Sequence, residues 1–241
     1  MKRILSIALV VVFCGVSIFA QKLKPWTEWS DKDAAKMLNE SAWGQTQTVG
    51  SSEAPTQTSA ITASGSAGPG INSRGESGER QPSNEMHFRV RFLTAKPIRE
   101  AFARRVMLQQ TSPNKDLEAQ LQGFIDRDFG NYLVVSLSID GANARAADGM
   151  MTGLSKITAD ALKDKVYLER KDGKRIMLSD YKAPTNDGMG AKLIFDRTVD
   201  GHPFLTEDSE SVRFYMELNG KQKIDVRFKT SNMMYGGKLE Y

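Results

Sequence analysis

Reactive and cross-linking side chains are scarce in this chain of 241 residues. It has one cysteine, Cys14, and two histidines, His87 and His202. A single cysteine forms no intrachain disulfide, so a hydrophobic core must hold any folded domain together. Hydrolysis through an activated serine or cysteine needs a histidine base beside the nucleophile. No Gly-x-Ser-x-Gly elbow occurs, and the two histidines are far apart in the chain. No His-x-x-x-His or cysteine pair offers zinc-type spacing. Asp140-Gly141-Ala142-Asn143 begins like a calcium loop, but Ala142 and Ala144 occupy positions where oxygen ligands are required. Asn186-Asp187-Gly188-Met189-Gly190 lacks the Lys-Ser/Thr ending of a phosphate loop and precedes a strand, so it reads as a turn. No metal and no cofactor are expected.

An excess of one charge is lacking too. Lysine and arginine number 33 against 29 acidic residues. Lys2 and Arg3 supply two of the four net positive charges, so the rest of the chain is nearly neutral, which argues against nucleic acid as a partner. Carboxylates at Asp126 and Asp128, and at Glu207, Asp208 and Glu210, read as surface runs. A glycosidase pair would have to face across a cleft.

What is present begins with the first twenty residues. Lys2-Arg3 precede an almost wholly apolar run from residue 4 to 19, and Ile18-Phe19-Ala20 precede the polar Gln21. This layout predicts a secretory signal peptide, residues 1–20, cleaved after Ala20. The protein is then periplasmic or secreted, with no stable membrane insertion. The competing reading is a retained N-terminal anchor, since the run approaches the length that spans a bilayer. Lipidation at Cys14 is disfavoured by the bulky Phe13 before it.

Residues 21–43 hold all three tryptophans, Trp26, Trp29 and Trp43. Ser30 and Asp33 mark a helix start, after which Ala34, Met37 and Leu38 fall near one face. Two readings stay open. The helix docks on its own domain, or Trp26, Trp29, Trp43, Met37 and Leu38 form a recognition element for another envelope protein. Residues 44–85 are rich in Gly, Ser, Thr and Gln, with Val49, Ile61 and Ile71 as the only large aliphatics, which predicts a disordered linker.

Residues 86–241 form the main domain. Met86, Phe88, Val90 and Phe92 alternate with polar residues as in a half-buried strand. Pro97 opens one amphipathic helix, and a second is expected over residues 116–128. Residues 132–139 are β-prone. The stretch 141–165 reads as a loop ending in a short helix near 159–163. Asp172-Gly173 and Asn219-Gly220 each predict a tight hairpin. The fold class is thus mainly β with a helical insertion (α+β): an antiparallel, sandwich-like domain of seven or eight strands, with two helices between the first and second strands of the domain. Arg89, Arg91, Arg99, Arg104 and Arg105 could gather into a basic patch. The pairs Met150-Met151 and Met233-Met234 read as core filler.

Trp26-Thr27-Glu28-Trp29 with Asp31-Lys32-Asp33-Ala34, the hairpin 167–175, Asp187-Gly188-Met189-Gly190-Ala191-Lys192, Val212-Arg213-Phe214-Tyr215 and the ending Gly237-Lys238-Leu239-Glu240-Tyr241 together resemble a group of uncharacterised exported bacterial proteins. The resemblance implies export and a shared fold, and carries no mechanism. A non-enzymatic envelope or secreted binding module is the expected function. A hydrolase of envelope polymers and a small-ligand or lipid carrier are the alternatives.

Overall fold

The computed structural model describes residues 24–50 and 85–241, except Pro113, Asn219 and Lys221. The expected signal peptide and most of the expected linker lie outside the described residues. A 3-10 turn at Trp26–Glu28 leads into α1 (Asp31–Asn39) and β1 (Gly44–Val49). Then follow β2 (Met86–Phe92), α2 (Lys96–Leu108), α3 (Lys115–Ile125), β3 (Tyr132–Gly141), α4 (Ala144–Lys156) and α5 (Ala159–Leu162). The remainder is β4 (Val166–Arg170), β5 (Arg175–Met177), β6 (Asp180–Lys182), β7 (Ala191–Asp196), β8 (Thr198–Val199), β9 (His202–Pro203), β10 (Ser211–Leu218), β11 (Gln222–Lys229), β12 (Met234–Tyr235) and β13 (Lys238–Leu239). The fold is mixed α+β with antiparallel sheets.

Two sheets dominate, ordered β1-β2-β3-β7-β6 and β11-β10-β4-β5. Both are open sheets and not clearly the two layers of the sandwich expected from sequence. The chain passes from one sheet to the other between β5 and β6. β5 pairs with β4 and β6 with β7, and between them Leu178 N–H donates to Val166 and Ser179 N–H to Ile194. At the other end, the Gln47 carboxamide of β1 meets the free edge of β11. It donates to the Lys223 carbonyl at 2.9 Å and accepts from the Asp225 N–H at 2.7 Å. One side chain thus makes the two bonds a neighbouring strand would make, and protects an edge that is otherwise an aggregation hazard.

A single core joins both sheets. Phe88, Phe92, Phe195, Phe204, Phe214 and Phe228 are fully buried. Phe92 and Phe228, from different sheets, meet edge-to-face with centroids 4.9 Å apart. Burying each such side chain stabilises the fold by about 1.5–3 kcal/mol.

Local signals account for most elements. Ser30 and Asp33 form a reciprocal capping box at α1. Asn114 caps α3 through the Leu117 amide, and Gly173 and Gly220 adopt φ of 84° and 67° in the two hairpins. The two helices expected between β2 and β3 are α2 and α3. Helix α4 was not expected. Its Gly149 and Gly153 and small apolar face hid the pattern, but Asn143 caps it and Ala147 and Leu154 bury against the sheet. β1 was expected to be linker. Its ladder runs from Gly44↔Arg91 to Val49↔Met86, and its polar side chains serve neighbours: Gln45 donates to the Ser41 carbonyl and Thr46 to that of Asn39.

Candidate functional site

The tryptophan segment is built into the domain. Trp29 is 5% exposed and Trp43 6%, and both share the core with Ala34 and Leu38. The Trp29 indole donates to the Lys24 carbonyl at 2.8 Å, and its own carbonyl accepts from Arg104. The Trp43 indole donates to the Glu240 carbonyl at 2.7 Å and packs edge-on to Tyr235, 6.0 Å between centroids. Of the five residues expected to recognise a partner, Trp29, Trp43 and Leu38 are therefore spent internally. Trp26 and Met37 are only partly buried.

Two hollows flank this segment. One, about 420 Å³, runs along the outer face of α1 between Lys24, Trp29, Lys36, Met37 and Ser41. The other, about 560 Å³, lies between Trp26, Arg104 and Met107 on one side and Lys115, Glu118 and Gln122 of α3 on the other. The first is walled mostly by apolar surface and rimmed by two lysines and by Asp33 and Glu40.

The five arginines do not form a common patch. Arg91 is 5% exposed beneath the end of α1, where it donates to the Leu38 carbonyl at 2.9 Å, Asn39 Oδ1 at 2.8 Å and Ser138 Oγ at 2.9 Å. Its guanidinium also lies 5.5 Å from the Phe102 ring centroid. Burial, with the charge of Arg89 nearby, pulls its pKa down to about 9. A cation at a helix C-terminus suits the dipole, and three acceptors offset the cost of burying it. Arg99 is buried as well and donates to the carbonyls of Ile125, Leu93 and Thr94; burial lowers its pKa against the opposing charges of Glu240, Glu100 and Asp126. Arg89 forks onto Asp140, and Arg105 pairs with Asp31 at 3.6 Å. Each arginine is thus engaged within the chain.

His87 stands on the outer face of β2, with Nδ1 3.0 Å from the Thr48 hydroxyl and Asp140 as its cross-strand neighbour on β3. In that row the hydroxyl and carboxylate are exposed and the imidazole half-buried, and Arg89 takes the carboxylate. His202 is exposed on β9. Neither histidine lines either hollow. The motif at 187–192 is a turn: Asp187 accepts from the Met189 amide at 2.9 Å and pairs with Lys192. Burial pushes the Asp187 carboxyl up, but Lys192, the Met189 amide and Thr185 outweigh it and hold the pKa low.

Spacing gave no sign of a titratable cluster at the start of α2. Its amide at Lys96 has no local side-chain cap and donates instead to Glu240 Oε1 at 2.9 Å. One turn on, Glu100 is 5% exposed and accepts from the Tyr235 hydroxyl. Burial raises the Glu100 pKa, opposed by Tyr235, Lys96 and Arg99 and reinforced by Asp126. A carboxyl raised in the folded state stabilises most below its unfolded pKa, and that contribution is lost as pH rises through the folded value. Glu100→Gln keeps an acceptor for Tyr235 and removes the charge. The variant should therefore gain stability relative to the parent as pH rises from about 4 to 7, checked by urea midpoints across that range. A constant difference would assign Glu100 no such role.

No protein-family model matches the chain. No curated protein matches it either. Among solved structures, it is similar to one described as a novel protein of unknown function from Burkholderia pseudomallei. The identity is 13% and the TM-score 0.36, over 58% of this chain and 72% of that one. A likeness at that level identifies neither fold nor activity. No helix among the described residues is long and apolar enough to cross a membrane.

Proposed function

We propose that the protein is an exported, non-enzymatic binding module of the bacterial envelope or exterior, and that it holds a protein partner along the outer face of α1. The observation that carries this reading is the apolar hollow beside Met37, framed by Trp29 and by charges of both signs, Lys24 and Lys36 with Asp33 and Glu40. A small apolar floor with a polar rim suits a protein side chain or helix face. Burial of Trp29, Trp43 and Leu38 supports a rigid platform, with Met37 as the apolar residue left to make contact along α1, while Trp26 lines the other hollow. Export rests on the layout of residues 1–20.

Photo-crosslinking amino acids at Lys36 and Met37, with a control at Arg227 on β11, provide the test in the producing cell. Crosslinking of one defined protein from the α1 positions and not from Arg227 is the expected result. Equal products from all three positions, or none from α1, would remove the reading.

A further inference from the structure

The last nine residues, 233–241, are attached in a way that sets them apart. β12 and β13 form a sheet of their own, with one short ladder, Met234↔Leu239 and Tyr235↔Lys238, and no place in either main sheet. The turn between them is Gly236-Gly237, with φ of 59° and 81°. Internal cohesion is therefore small, since an isolated hairpin of this size is not stable in water. Docking rests on two side chains buried in the core, Met233 and Tyr241, and on single bonds to a few separate places. Tyr241 is 5% exposed; its hydroxyl donates to the Leu205 carbonyl at 3.0 Å, and Arg197 lies 4.4 Å from its ring centroid. Glu240 caps α2 through the Lys96 amide, its carbonyl receives the Trp43 indole, and Tyr235 reaches Glu100. Met234 and the Lys238 side chain face solvent.

We infer that residues 233–241 are a strap that opens as a unit, below the free energy of global unfolding, and uncovers the Trp43 indole together with the first amide of α2. Local units with few ladder bonds and docked by a handful of side chains are the ones that open first. Closing buries Tyr241, part of Tyr235 and the Trp43 edge; opening leaves the main sheets intact, because no ladder of either runs through the strap. The strap is thus a cover over the Trp43 edge, and Trp43 does not line the α1 hollow.

Hydrogen exchange of the full chain tests this, with rates corrected for intrinsic exchange. The Glu240 amide, bonded to the Met233 carbonyl, reports the strap, and the β3 amides report the core. The Trp43 indole N–H, bonded to Glu240, should exchange in step with the strap. The Trp29 indole N–H, bonded to Lys24, is the control. Expected is exchange of the Glu240 amide and the Trp43 indole at least about 100-fold faster than β3, against a spread of local to global opening energies. Tyr241→Ala should speed both by a further factor of about 10, equivalent to about 1.4 kcal/mol, and leave the ratio of Trp29 to β3 unchanged. Equal protection of strap and β3 in the parent would overturn the inference. So would a Tyr241→Ala variant in which all four probes accelerate together.

Discussion

Trp43→Ala should lower the stability of the domain by about 3–5 kcal/mol, the range for removing a large aromatic side chain from a core. Three losses add at this position. The indole is almost fully buried among core residues. Its edge-to-face contact with Tyr235 disappears, and the Glu240 carbonyl loses its donor. Trp43→Phe restores most of the apolar volume but not the N–H, so its expected cost is smaller, about 1–2 kcal/mol from the unpaired carbonyl and the looser fit. Urea unfolding of the three proteins measures both. A Trp43→Ala cost under about 1 kcal/mol, typical of surface substitutions, would mean that the tryptophan segment is not part of the core.

Gly190→Val is the second substitution with a large expected effect. Gly190 has φ of 83°, a region that side chains with a Cβ enter at about 1–2 kcal/mol and β-branched residues hardly at all. A Cβ there would also overlap the Leu137 carbonyl of β3, which is backbone in the middle of the five-stranded sheet and cannot swing aside. The variant should fold poorly or lose more than about 3 kcal/mol, adding overpacking to backbone strain. Gly188→Ala two residues earlier isolates the strain alone. Its φ is 72° and a Cβ there meets nothing within 4 Å. Its expected cost is therefore only about 1–2 kcal/mol. Similar urea midpoints for the two variants would show that the close approach to β3 does not matter.

Most strands that the sequence announced had alternation or a turn signature, and β3 was announced by the β-prone composition of residues 132–139. Residues 86–92 and the hairpins at Asp172-Gly173 and Asn219-Gly220 carried both kinds of signal, and the structure has β2, β4–β5 and β10–β11 there. β1 was illegible because Gln-Thr-Gln-Thr has no apolar face. Its side chains are used as hydrogen-bond donors and acceptors, which composition does not reveal. The change of sheet between β5 and β6 was equally hidden, since it depends on Leu178 and Ser179 finding partners in two different strands. Helix α4 lacked large residues at helical spacing. For the candidate site, clustering of tryptophans was visible, but which of them are consumed by the core was not. Arg91 read as part of a surface patch because it alternates with Val90 and Phe92. It is buried because α1 lays its last carbonyls over that end of the sheet, a contact between residues 53 positions apart. Glu100 and Glu240 are brought together by the fold of the chain's last residues, and no local pattern links them.

Trp29 and Trp43 belong to the core and form the platform beneath the proposed binding face of α1. Acrylamide quenching of a Trp26→Phe variant tests this most directly, because that variant emits from Trp29 and Trp43 alone. The account predicts blue-shifted emission that acrylamide barely quenches until the domain unfolds cooperatively in urea. Red-shifted emission quenched in native buffer as readily as free tryptophan would contradict it.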